Sequence, residues 1–147
     1  MNIENLKIVV AKLRELPEDY EHFTMREFYQ YKIPCNNVET FSLPQILNGA
    51  INLNDCGTSA CVVGHMASWF PQEAKGSGWW LNLSERVTEL KSDSNECEYM
   101  FSGFWHPYEP HHYQAADRIQ RIIDGFVPER KDLPWIKGRM LNEKFKR

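Results

Sequence analysis

Ala116, Ile119, Ile122 and Ile123 recur at the spacing of a single helix face, and no segment of the chain sustains the two-residue alternation of a half-buried strand. A chain patterned this way buries its apolar surface helix on helix. The pattern predicts an all-α fold: a compact single domain of about five or six helices, long irregular connections and a basic C-terminal tail. The first helix follows Asn2 as cap, carries Ile3, Leu6, Val10 and Leu13 on one face, and stops at Pro17. A short helix is expected over Thr24–Tyr31, with Thr24 and Glu27 in capping-box spacing. Turn-forming residues dominate from Lys32 to Asp55, interrupted by one helical turn over Pro44–Leu47. Further helices are expected over Thr58–Phe70 (capped by Thr58 or Asp55), over Leu83–Leu90 (capped by Ser84) and over Glu96–Phe104. The clearest runs from His111 to Asp124, with Gly125 as its stop.

The 147 residues have the length of one domain and can bury a sizeable core without a disulfide framework or a structural metal. No apolar run reaches the ~18 residues of a membrane span, and the N-terminus lacks the pattern of a signal peptide. We therefore expect a cytoplasmic protein whose four cysteines, Cys35, Cys56, Cys61 and Cys97, stay reduced. Charge is unevenly spread. Residues 128–147 hold seven Lys/Arg and three Asp/Glu, so this tail carries +4 and residues 1–127 carry −7 of the net −3. The acidic body disfavours a polyanion, which leaves a nucleic-acid accessory role through the tail as a minor alternative. The division expected is a helical domain over 1–127 and a tail over 128–147 packed on it or flanking it.

The most distinctive stretch is Asn54-Asp55-Cys56-Gly57-Thr58-Ser59-Ala60-Cys61-Val62-Val63-Gly64-His65-Met66-Ala67. Packing accounts for it residue by residue. Gly57 suits the turn into a helix, Thr58 supplies a cap oxygen, and Ala60, Gly64 and Ala67 or Ser68 form a small-residue stripe for a close helix neighbour. Cys61 then acts as a small buried apolar residue. A metal reading takes Cys56, Cys61 and His65, completed by Cys97, Cys35 or His106, but the Cys-x4-Cys spacing has no second ligand pair beside it. A catalytic reading puts Cys56 at a helix N-terminus with His65, His106, His111 or His112 as base. Packing is the simplest of the three, and neither a cofactor nor an enzymatic activity is expected.

The stretch resembles a family of small uncharacterised proteins of tailed phages and bacteria that share a C-G-T-x-x-C-x-x-G-[W/H]-A-like core. The resemblance extends to Thr24-Met25-Arg26-Glu27-Phe28, Leu81-Asn82-Leu83-Ser84, Met100-Phe101-Ser102-Gly103-Phe104-Trp105, and Ala115-Ala116-Asp117-Arg118-Ile119 through Gly125. It covers about residues 3–125; the link from Glu85 to Asn95 is longer than the family's, and the basic tail lies outside the pattern. Tryptophan at the position of His65 in part of that family argues against a ligand or base there. The resemblance implies a phage or prophage protein in the bacterial cytoplasm that binds and modulates a host protein, such as a defence or regulatory component.

Trp69, Phe70, Phe101, Phe104 and Trp105 are read as core. Trp79-Trp80 follows Gly76-Ser77-Gly78, and two consecutive aromatics cannot point the same way. One is expected to face inward and the other outward, which makes the pair the candidate for partner binding.

Overall fold

The computed structural model describes residues 1–25, 30–32, 38–48 and 58–136. Helix α1 spans Ile3–Glu15, and the side chain of Asn2 accepts from the Asn5 backbone N–H at 3.0 Å, satisfying a donor that the first turn leaves open. Two short strands follow, β1 (Gln30–Lys32) and β2 (Val38–Thr40), then α2 (Leu43–Leu47) behind a Ser42–Gln45 capping box. Strand β3 (Thr58–Ser59) leads into α3 (Val62–Trp69) and α4 (Pro71–Lys75). Helices α5 (Trp80–Thr88), α6 (Asn95–Phe101) and α7 (His112–Ile123) complete the body, with 3-10 turns at Gly103–Trp105 and Arg130–Asp132.

The fold is all-α in its core. Leu6, Val9, Val10 and Leu13 of α1 are buried, as are Ala115, Ala116, Ile119 and Ile122 of α7, and α1 packs chiefly against α7. Helix α3 is the central element, with every residue from Val62 to Ala67 buried. The backbone N–H of Asn2 donates to the Thr88 carbonyl at 2.7 Å and the Asn5 amide to that of Val87 at 2.9 Å, which ties the start of α1 to the end of α5. A small antiparallel sheet in the order β2-β1-β3 pairs Gln30 with Thr40 and with Ser59.

That sheet accounts for two corrections. Thr24 and Met25 do not open a helix: the Thr24 N–H donates to the Ala60 carbonyl at 3.0 Å, Phe23 bridges Ala60, and the chain re-emerges in β1. Residues 26–29 of the expected helix lie outside the described residues. Thr58 does not cap α3, because residues 58–60 are extended and paired, and Cys61 takes the cap position. Long-range pairing of short segments has overridden local helix signals in both places. Ala60 therefore precedes the helix and Ser68 is exposed, so the small-residue stripe reduces to Gly64 and Ala67. Ser84 lies inside α5, which starts three residues earlier than expected, at Trp80.

Gly125 ends α7 as expected. Its φ is +99°, its N–H donates to the Ile122 carbonyl at 3.1 Å, and the Phe126 N–H donates to that of Arg121 at 2.9 Å, the hydrogen-bond pair of a Schellman stop. Beyond it, Leu133 is buried in the core and Trp135 meets Phe104 edge to face at 6.0 Å, so residues up to 136 pack on the body.

Candidate functional site

Four of the residues singled out in the sequence, Thr58, Cys61, Gly64 and His65, fall in β3 and at the start of α3; Cys35, Cys56 and Gly57 lie outside the described residues. His65 is 2 % exposed. Its Nδ1 is 2.8 Å from the Cys61 carbonyl oxygen, which can only accept, so Nδ1 carries the proton. In the neutral ring Nε2 is then an acceptor, and the Tyr20 hydroxyl donates to it at 2.9 Å. Burial pushes His65 down to about 4; the Cys61 carbonyl opposes this, and His22 and His112 reinforce it. Burial also holds the Tyr20 phenol above its ordinary range, so it keeps its proton and remains a donor. Tyr20 thus sits among three imidazoles, with ring centroids at 5.4 Å from His22, 5.7 Å from His65 and 6.3 Å from His112.

With both ring nitrogens engaged, His65 fixes the turn before α3 to the loop after α1. His65 meets Cys61 through that residue's carbonyl, and both are buried. Among the described residues no group of three or more His, Cys, Asp or Glu side chains is placed to share a metal ion. His106 is exposed at the end of the 3-10 turn, while His112 is buried in α7 with Nε2 at 3.1 Å from the Pro17 carbonyl.

The tryptophan pair divides. Trp80 is 1 % exposed and its indole N–H donates to the Phe41 carbonyl at 3.0 Å. It is therefore a core residue, which corrects its assignment to a partner surface. Trp79, in extended conformation at the N-cap of α5, is 49 % exposed.

An open cleft of about 420 Å³, unforeseen from the sequence, lies between α5, α6 and the Gly103–Trp105 turn. Leu81, Phe101 and Phe104 supply much of its apolar lining, with Val63 from α3. Phe104, expected in the core, is 63 % exposed because the 3-10 turn buries Trp105 in its place. Cys97 and Glu98 of α6 also line the cleft. Burial raises the Cys97 thiol, against the pull of hydrogen bonds with Ser94, Thr88 and Ser84, so it is held as a thiol rather than as a nucleophilic thiolate. Burial, then the neighbouring charge of Asp93, raises the Glu98 carboxyl as well. Cys97, Glu98, Phe101 and Phe104 share one stretch of sequence, but Val63 and Leu81 reach the cleft from other elements, so packing assembles it.

A second feature was also missed in the sequence. Arg118 of α7 is fully buried. Its Nη1 is 3.2 Å from Glu109 Oε1 and its guanidinium carbon is 4.8 Å from the centre of the Trp105 ring. Burial lowers Arg118 to about 10, opposed by Glu109, so it stays charged at neutral pH. It holds the His106–Glu109 turn against α7 and supports the turn that carries Phe104.

Among the described residues no helix is long and apolar enough to cross a membrane. Comparisons of the chain with protein-family models, with curated proteins and with solved structures return no match.

Proposed function

We propose that this chain is a non-enzymatic binding protein that acts by protein–protein contact through the face formed by α5, α6 and the Gly103–Trp105 turn. One observation carries the reading: three large apolar side chains, Trp79, Leu81 and Phe104, stand exposed on this part of the chain, and the last two line an open cleft. Exposed aromatic anchors beside a concave apolar surface are the composition of an interaction site. The stretch around Cys61 and His65 supports the same reading indirectly, because both ring nitrogens of His65 are engaged in holding α3 in place. The resemblance to phage and bacterial proteins makes the partner a bacterial host protein, such as a defence or regulatory component, modulated in the cytoplasm.

The test is affinity capture from bacterial lysate with four proteins: wild type, Trp79→Ala, Phe104→Ala and Cys61→Ser. One host protein enriched by wild type should be retained by Cys61→Ser. It should be lost, by about 2 kcal/mol or more of binding, from whichever aromatic anchors the contact. Retention by both aromatic variants, with loss from a normally folded Cys61→Ser, would move the site to the thiol region.

A further inference from the structure

The charge of the cleft narrows the kind of partner, on the assumption that the binding reading above holds. From Trp80 to Phe104 the chain carries five carboxylates (Glu85, Glu89, Asp93, Glu96 and Glu98) and two cations (Arg86 and Lys91), a net −3. Arg86 is committed elsewhere, donating to the Gly76 carbonyl at 2.7 Å. Glu98 is the charged residue in the lining itself, only partly exposed, and no ion pair or hydrogen bond reaches its carboxylate among the described residues. Partial burial and Asp93 both disfavour its charged form, as the raised carboxyl reflects. A half-buried carboxylate beside Leu81, Phe101 and Phe104, with a second acid nearby and no paired cation among the described residues, has no counter-charge to offset its desolvation. An incoming cation would relieve both effects at once.

We infer that the cleft receives a cationic amphipathic segment of the partner protein, with an apolar side chain packed on Leu81, Phe101 and Phe104 and a guanidinium or ammonium group set against the Glu98 carboxylate. The apolar part supplies buried area; the ion pair supplies register and selects against acidic segments.

The probes are two synthetic amphipathic helices with the same leucine face, one with arginine on its polar face and one with glutamate. Binding to the full chain is followed by calorimetry, and the contact is located from amide shifts over Ser102–Phe104. The arginine peptide should bind at the cleft and the glutamate peptide should not. Glu98→Gln and Phe104→Ala should each weaken the arginine peptide about tenfold or more, whereas Asp117→Asn, an exposed carboxylate of α7, should leave it unchanged. Equal binding of the two peptides, or an arginine peptide indifferent to Glu98→Gln, overturns the inference. If a captured partner depends on Phe104 but meets the cleft with a neutral or acidic segment, the inference fails and the binding reading stands. If capture is indifferent to both Trp79 and Phe104, the binding reading itself fails.

Discussion

The Tyr20 hydroxyl donates to Nε2 of His65 at 2.9 Å, across 45 positions of sequence, and leaves that imidazole with no free nitrogen. This pair joins the loop after α1 to the central helix. Tyr20→Phe removes the donor and strands a buried acceptor, so stability should fall by about 1–3 kcal/mol in urea denaturation. An unchanged midpoint would mean that the hydrogen bond is dispensable.

The same histidine makes stability depend on pH. Its folded value of about 4 lies below the ordinary 6.5, so between those values the unfolded chain binds the proton more readily. Its contribution is complete above about pH 6.5, declines as the pH falls towards 4, and levels off below that. The loss is on the order of 3 kcal/mol. Urea midpoints taken from neutral pH downwards should show this slope, and His65→Gln should flatten it.

Trp79 and Trp80 should separate cleanly in the free protein. Trp80→Ala opens a cavity in the core and removes the indole donor to the Phe41 carbonyl, with an expected cost of about 3–5 kcal/mol. Trp79→Ala should change stability by no more than about 0.5 kcal/mol. Thermal and urea unfolding of the two variants check the contrast.

Glu109→Gln leaves the buried Arg118 guanidinium without its counter-charge. A loss of about 2–4 kcal/mol is expected, moderated by the partial exposure of Glu109. Amide hydrogen exchange over residues 103–110 should quicken in this variant before that of α1 does, because the pair holds the turn rather than the helices.

At Gly125 the test is conformational. Gly125→Ala puts a Cβ on a residue with φ of +99°, and although no atom crowds that position the backbone itself disfavours it. A cost of about 1 kcal/mol is expected, with Gly125→Asn cheaper than Gly125→Ala.

Helices α1 and α7 were legible because each is long, carries a regular apolar stripe and ends in recognisable cap chemistry. That one of Trp79 and Trp80 faces outward and the other inward was legible for a similarly local reason, since adjacent residues diverge, but which of them is buried was not. The sheet was not, because strands of two or three residues are too short to display an alternation. Nor was the Tyr20–His65 pair, or the cleft: both depend on which elements meet in space. Phe104 and Trp105 illustrate the limit, as two neighbouring aromatics whose burial is decided by one 3-10 turn.

The packing of α1 on α7 has a consequence for synthesis. The first helix leaves the ribosome with Leu6, Val9, Val10 and Leu13 bare, and the residues that cover them arrive roughly a hundred positions later. The core therefore closes late, after nearly all of the described chain has emerged, and until then α1 is a target for chaperones and proteases. Ribosome-stalled chains ending before His112 should be cut readily within α1, while chains stalled well beyond Gly125 should resist.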